Sequence, residues 1–270
     1  MGARQFFADH GWAATMPAII PRKLWIYWDT GLDGAPEMVR ACVRRWQEAN
    51  PEWDINILDR DTAPTYVSMP QLPSTIGKAH YADVLRTRLL AIHGGVWADG
   101  TTWCAKPLDD WLPPACQAGF FVHVWIDGDR EYNGRSHPRI LGNWFIAAAP
   151  GNSMITAWDR MTCDYWQGRR ATNNYFWHND IVEYLLRTDK ACRTVWCRMP
   201  KYGAMAPHLV QAMYRFGGDE AAIRQAIAAG SIPVHKLNWR IKVTMPEIED
   251  FILSAMQLGQ SENASAGTKL

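Results

Sequence analysis

Residues 80–104 read HYADVLRTRLLAIHGGVWADGTTWC, and this stretch decides the fold. Its apolar residues recur at i, i+4 and i+7, the spacing of a helix with one buried stripe: Leu85, Leu89 and Ile92. Gly94 and Gly95 are typical of a helix C-terminus, and the apolar VWA that follows is typical of a short buried strand. The stretch therefore predicts a helix, a tight turn and a strand whose carboxyl end is marked by Asp99.

The segments before this stretch predict the opening of an α/β fold. IIPRKLWIYW is β-rich and ends next to Asp29, and a turn-forming TGLDGAP follows it. Pro36 is well placed as a first helical residue, and the helical pattern stops at Asn50-Pro51. WDINILD then alternates apolar and polar residues, as a strand does. Strand, helix and strand in this order are typical of a nucleotide-binding α/β fold.

The segments after it continue the alternation. Two further strands are predicted at FFVHVW and NWFIAAA, and two helices at NSMITAWDRMTCDYW and NDIVEYLLRT. Residues 202–230 are predicted to be helical with a break at Gly217-Gly218, and SIPVHKLNWRIK to be extended. MPEIEDFILSAMQL is predicted to form the last helix. The expected architecture is a mixed central sheet flanked by helices.

The length of 270 residues favours one α/β domain. We expect residues 1–16 to be a loosely docked leader without signal-peptide character, 17–258 the domain, and 259–270 a disordered tail. Within the domain, about 17–112 would be the nucleotide-binding half and 113–258 the acceptor-side half. The polar segment 127–139 is open to two interpretations, a lid or acceptor loop and a hairpin connection.

Composition excludes several partners. With 28 Lys and Arg against 27 Asp and Glu, the net charge of +1 does not favour a nucleic acid, so any phosphate chemistry needs a local site. The six cysteines have no metal-type spacing and are expected to be reduced thiols. No run approaches the ~20 apolar residues of a membrane span. We expect a cytoplasmic protein with at most peripheral contact at the inner face of the plasma membrane.

Asp83, Arg86 and Asp99 are the first candidates for chemistry. Asp83 and Arg86 are spaced i, i+3 and share a helix face next to the apolar stripe. Asp99 follows a strand at its carboxyl end, where open α/β sheets bind ligands, and the hydroxyl of Thr101 is close by. Such oxygen groups, completed by phosphates, suit a hard divalent cation. A surface ion pair and a turn-capping aspartate are the alternatives that these residues leave open.

IPRKLWIYWDTG…AP…CVRRW…NP, followed by HYADVLRTRLLAIHGGVWADGTTWC…PLDDWL, closely resembles the capsular polysaccharide synthesis family of glycosyltransferases. That family is akin to glycosyltransferases with a DxD sugar-binding region. The resemblance runs in order from about Ile20 to Trp239. It implies a GT-A-type, Rossmann-like fold and transfer of a sugar from a nucleotide donor with retention at the anomeric carbon.

The resemblance also implies roles for individual residues. Trp28 would stack on the donor base, Asp83 and Arg86 would grip the sugar hydroxyls, and Asp99 would be the first DxD carboxylate. The donor-binding residues implied together are Tyr27, Trp28, Asp83, Arg86, Gly95, Asp99, Lys236 and Trp239. The catalytic residues implied are Asp83, Arg86 and Asp99, with Asp180 as a tentative fourth that a helix-capping role explains equally well.

The DxD-like motif departs from the family pattern, because Thr101 stands where the second carboxylate would be. One carboxylate holds a divalent ion less tightly than two. A cofactor, Mn²⁺ or Mg²⁺, is implied by the resemblance, and its expected ligands are Asp99, Thr101 and His235. Mn²⁺ would be favoured if the imidazole is a ligand.

The expected function is transfer of a hexose or N-acetylhexosamine from a nucleotide sugar, with UDP ahead of GDP, to a bacterial surface or capsular glycan. The acceptor would be a glycan or a lipid-linked glycan. Two alternatives stay open: a non-catalytic module that binds sugar nucleotides or glycans, and a glycoside hydrolase-like enzyme, which needs two carboxylates across a cleft.

Overall fold

The computed structural model describes residues 19–126 and 139–267, with side chains described as far as Gly259. The expected leader, 1–16, and residues 127–138 of the polar segment lie outside the described residues. No helix in the described ranges combines the length and the apolar character needed to cross a membrane.

The described strands form a mixed six-stranded sheet and a smaller two-stranded one. In the larger sheet the order is β2-β1-β3-β6-β5-β7. The first strand is parallel to both of its neighbours, whereas β6 is antiparallel to β3 and to β5. In the smaller sheet β4 pairs with β8. The bounds are β1 Lys23–Tyr27, β2 Asp54–Leu58, β3 Gly95–Ala98, β4 Thr102–Cys104, β5 Phe120–Val124, β6 Leu141–Ala148, β7 Tyr202–Gly203 and β8 Val234–Lys236.

The described α-helices match most of the predicted segments. Their bounds are α1 Glu37–Ala49, α2 Lys78–His93, α3 Leu108–Ala115, α4 Ser153–Trp166, α5 Trp177–Thr188, α6 Lys190–Arg198, α7 Met205–Phe216, α8 Glu220–Ala228 and α9 Met245–Gly267. The sequence did not predict α3 or α6. Two internal prolines, Pro113 and Pro114, lie in the last turn of α3 and disguise this short helix, which the chain enters after Pro107.

Alternation along the strands divides the core between the two faces of the sheet. One face of β1 and β3 packs with α2, α4 and α5 through Trp25, Tyr27 and Trp97. The opposite face packs with α1 and α3 through Leu24, Ile26, Val96 and Ala98. Helices therefore cover both faces, and the predicted mixed α/β architecture is confirmed.

The turn from α2 to β3 explains the paired glycines. Gly94 and Gly95 have φ of 65° and 95°, which side chains rarely allow. A Cβ on Gly95 would also lie 2.4 Å from the carbonyl oxygen of Lys23. The pair thus lets β3 run directly beside β1, and this brings the residues after both strands to one sheet edge. At the other end, α2 begins at Lys78 after Gly77.

The C-terminal part adds a third core cluster around Trp103, which packs with residues of α1, α7, α8 and α9. The pairing of β4 with β8 places Lys236 opposite Thr102, so a late segment reaches the end of β3. The last helix continues to Gly267, where composition predicts disorder. No proline interrupts SENASAG, so nothing local ends the helix there.

Candidate active site

An open cleft of about 960 Å³ lies at the carboxyl ends of β1 and β3. The first residues of β6 and the N-terminal end of α5 also line it. Among the described residues that line it, six are basic and three are acidic. The basic residues are Lys78, Arg86, Arg139, Arg215, Lys236 and Arg240, and the acidic ones are Asp29, Asp83 and Asp99. In a chain that is nearly neutral as a whole, this local excess suits an anionic ligand.

Five residues form what we call the charged wall: Asp83, Arg86, Asp99, Asn143 and His178. Arg86 Nη2 lies 3.3 Å from Asp83 Oδ1 and 3.4 Å from Asp99 Oδ1. Asn143, at the start of β6, donates to Asp83 Oδ1 at 2.9 Å, and its carbonyl accepts from Arg86 Nη1. His178 Nδ1 lies 3.2 Å from the Asn143 amide nitrogen. The wall is thus one connected network from three parts of the chain.

Asp83 and Arg86 are charged although both are buried. Burial alone raises the pKa of Asp83, but the charge of Arg86 and contact with His80 outweigh it and hold that pKa below its ordinary value. Burial lowers the pKa of His178 to about 3, so its imidazole is neutral at neutral pH. Arg86 also lies over the ring of Trp97, 5.1 Å from its centroid. Asp83 and Arg86 are therefore a held ion pair that faces the cleft.

Asp99 connects the wall to the C-terminal part of the chain. Its Oδ1 accepts from Trp97 Nε1 at 3.0 Å, and its Oδ2 lies 3.7 Å from Lys236 Nζ. The ammonium of Lys236 donates to the hydroxyl of Thr101 at 2.5 Å. Asp99 is accordingly flanked by two cationic side chains, one on each oxygen.

Trp28 and Trp239 form what we call the aromatic rim. Their rings are 6.3 Å apart and perpendicular, and Trp239 is 45% exposed. Gly100 lies beneath Trp28, since a Cβ there would come 3.4 Å from the Trp28 ring. Below the rim, Tyr27 donates to Asp29, which also pairs with Arg60 and Lys78. The rim leaves aromatic surface at the mouth of the cleft, as a planar ligand requires.

A family model for capsular polysaccharide synthesis proteins matches residues 13–254. The chain belongs to this family. The match covers most of the sequence, so it includes both the charged wall and the aromatic rim. The expected family is thereby confirmed.

Named relatives are glycosyltransferases. The chain is 27% identical over 186 residues to O-glycosyltransferase braB of Annulohypoxylon truncatum, covering 60% of this chain and 41% of that protein. It is also 27% identical over 147 residues to the initiation-specific alpha-1,6-mannosyltransferase of Saccharomyces cerevisiae, covering 50% and 30%. The chain thus spans less than half the length of these relatives. A solved structure, PaToxG Glycosyltransferase, aligns over 95% of this chain and 94% of that chain, with 15% identity and a TM-score of 0.43.

Of the site residues expected from sequence, most line the cleft: Tyr27, Trp28, Asp83, Arg86, Asp99, Thr101, Lys236 and Trp239. Gly95 does not, because it serves the close contact of β3 with β1. Asp180 does not either, and its carboxylate accepts from Asn174 at 2.8 Å in the first turn of α5. The neighbouring His178 and Asn179 face the cleft instead.

The placement of His235 corrects our expectation that it joins Asp99 at a metal. Lys236 reaches Asp99, and the preceding residue of a strand points the opposite way. His235 is fully buried outside the cleft, 6.1 Å from the ring of Trp103. Asn143 was not predicted as a site residue. It is a single polar residue at the start of the apolar strand β6, and that position is the one feature of the sequence that could have indicated its role.

The expected divalent cation would need several oxygen or nitrogen ligands close to Asp99. Within the described ranges, no group of three or more His, Cys, Asp or Glu side chains is placed to hold a metal ion. Near Asp99, the other expected ligand Thr101 is bonded to an ammonium group, and Arg86 lies on the opposite carboxylate oxygen. A divalent ion bound to Asp99 would therefore lie close to two cations. The donor set does not fit such an ion.

Proposed function

We propose that this chain is a glycosyltransferase that binds a nucleotide sugar in the cleft and transfers the sugar to a glycan. The observation that carries the proposal is the charged wall, a held Asp83–Arg86 pair that faces a cationic cleft with an aromatic rim. Family membership and the glycosyltransferase names of the relatives support the same activity.

Each part of the donor has a matching surface. The base would stack on Trp28, and the diphosphate would lie next to the ammonium group of Lys236. The sugar hydroxyls would bind Asp83 and Arg86, whose charges give hydrogen bonds stronger than neutral ones. The acceptor would enter from the side of Tyr175 and Phe176, which also line the cleft.

The geometry favours this activity over glycoside hydrolysis. A glycosidase needs one carboxylic acid that stays protonated and a second carboxylate across the bond. Asp29 and Asp83 are each held by cations that lower their pKa, and this opposes a proton-donating role. A non-catalytic binding module is the remaining alternative, and turnover of the donor separates the two.

UDP-hexose or UDP-N-acetylhexosamine is the first donor to test. A GDP-linked mannosyl donor is the second, because one relative is named a mannosyltransferase. We further propose retention at the anomeric carbon, a bacterial surface or capsular glycan or its lipid-linked form as acceptor, and a cytoplasmic site of action.

The test uses a panel of UDP- and GDP-sugars. For wild type and Asp99→Ala, it measures the shift in melting temperature and the slow hydrolysis of each donor. We expect one donor to raise the melting temperature and to be hydrolysed. Asp99→Ala should lower turnover about 10²- to 10³-fold, because the carboxylate that lies between Arg86 and Lys236 at the site is lost. Near wild-type turnover in Asp99→Ala at saturating donor would remove this site from the reaction, and binding without any turnover would indicate a binding module.

A further inference from the structure

Lys236 lies where the resemblance places a divalent cation. Its side chain is 17% exposed, and its ammonium group donates to Thr101 Oγ1 at 2.5 Å and to the Leu237 carbonyl at 3.3 Å. An ammonium group has three N–H donors. Asp99 Oδ2 lies 3.7 Å from the same nitrogen, a distance beyond a direct hydrogen bond. Lys236 is thus held in place with one donor available to a ligand in the cleft.

Arg86 lies on the other side of the same carboxylate. Its Nη2 is 3.4 Å from Asp99 Oδ1, again longer than a good hydrogen bond. Arg86 is 4% exposed, and its guanidinium is fixed by the Ala82 and Asn143 carbonyls. Two cations that other groups hold in place therefore flank Asp99.

Resting on the function proposed above, we propose that Lys236 and Arg86 together neutralise the donor diphosphate, so that sugar transfer requires no divalent cation. In the reaction the bond between the anomeric carbon and the diphosphate oxygen breaks, and its electron pair leaves on that oxygen. The acceptor hydroxyl oxygen forms the new bond to the anomeric carbon, and its proton passes to the departing diphosphate. The two side chains stabilise the negative charge that develops on the leaving group.

The surroundings of Lys236 favour this role. Burial holds the pKa of Lys236 below its ordinary value, and the charge of Asp99 offsets part of that effect. A bound diphosphate adds further negative charge and strengthens the protonated form. Thr101 fits the same account, because a hydroxyl accepts a hydrogen bond from the ammonium group without cancelling its charge, as a second carboxylate would.

The experiment measures binding of UDP and of GDP by calorimetry, each in excess EDTA and in excess Mn²⁺, to wild type, Lys236→Met and Lys242→Met. Lys242 is an exposed lysine of the same segment outside the cleft lining, so it is the matched control. We expect one nucleotide to bind wild type and Lys242→Met equally well in EDTA and in Mn²⁺. Lys236→Met should bind it about ten- to hundredfold more weakly, as expected for a lost charge-assisted hydrogen bond.

A second variant keeps the test decisive if Lys236→Met fails to fold. Thr101→Asp adds a carboxylate beside Lys236, so nucleotide binding should weaken in EDTA and should become dependent on Mn²⁺. Wild-type binding that occurs only with Mn²⁺ would overturn this inference and leave the proposed function standing. Unchanged binding by Thr101→Asp in EDTA would overturn it as well. Failure of wild type to bind either nucleotide, with or without Mn²⁺, would instead refute the proposed function itself.

Discussion

The charged wall and the aromatic rim face the same cleft but are built in different ways. The wall is fully connected and its Asp83–Arg86 pair is buried, at 7% and 4% exposed, whereas Asp99 and Asn143 are half-buried. The rim consists of two rings at the mouth, from opposite ends of the chain, and Trp239 is nearly half exposed. The wall is part of the folded core, whereas the rim only presents surface. Changes in the wall should affect stability and activity together, and changes in the rim should affect binding alone.

The largest expected effect tests the wall. Asp83→Ala removes one of the two carboxylates next to buried Arg86, and breaking a buried pair typically costs about 3–5 kcal/mol. We therefore expect loss of activity together with a fall of that size in the free energy of unfolding, measured by denaturant titration.

Asp180→Ala is the matched control for that measurement. Asp180 lies near the cleft but bonds to exposed Asn174, so both activity and stability should stay close to those of wild type. If Asp83→Ala unfolds within about 0.5 kcal/mol of wild type, the wall is not part of the core and the contrast with the rim disappears.

The wall also shows which parts of the site the sequence could predict. Asp83, Arg86 and Asp99 lie within one helix–turn–strand unit, so local spacing and the Gly94-Gly95 turn were sufficient to bring them together. Asn143 enters from an antiparallel neighbour, β6, and strand order is not a local property of sequence. Its contribution could therefore not be derived from the residues 80–104.

The error at β8 has a similar physical origin. The segment VHKLNW was expected at the site, and it is there, but a strand turns successive side chains to opposite faces. Whether His235 or Lys236 faces Asp99 depends on the pairing of β8 with β4, which sequence alone does not give. The fold was easier to predict, because apolar periodicity determines most elements, and the failures fell on the short elements α3, α6, β4 and β7 and on the end of α9.

A pH titration sharpens the contrast, because the wall contains a buried neutral imidazole. His178 has a folded-state pKa of about 3, below the unfolded value of about 6.5. The unfolded state therefore takes up the proton first, and stability falls as pH drops below about 6.5 and levels off near 3. We expect His178→Asn to reduce this slope by up to about 1.4 kcal/mol per pH unit.

Unfolding curves of wild type and His178→Asn, measured from pH 8 to pH 4, check this expectation. Above about pH 7 the two stability profiles should run parallel, because the imidazole is neutral in both states there, and this range is the internal control. Other buried histidines, among them His123 and His208, also have lowered pKa values and steepen both profiles equally. Profiles that stay parallel down to pH 4 would show that His178 is not held neutral in the wall.

The smallest effect is expected at the rim. Stacking of a base on an aromatic ring is typically worth about 1–3 kcal/mol, so Trp28→Ala should weaken nucleotide binding roughly ten- to hundredfold. Calorimetry with the nucleotide that binds wild type gives the affinity, and denaturant titration of the same variant gives the stability. We expect the free energy of unfolding to change much less than in Asp83→Ala.

Trp239→Ala separates stacking from a general loss of aromatic surface. Its ring is perpendicular to that of Trp28, so a base that lies flat on Trp28 meets Trp239 only at an edge. The affinity should therefore fall less in Trp239→Ala than in Trp28→Ala, and Trp28→Phe should recover part of the loss. Equal losses in the two alanine variants would mean that the base lies between the rings without stacking on Trp28. Unchanged affinity in Trp28→Ala, with the wall intact, would move the base to another part of the cleft.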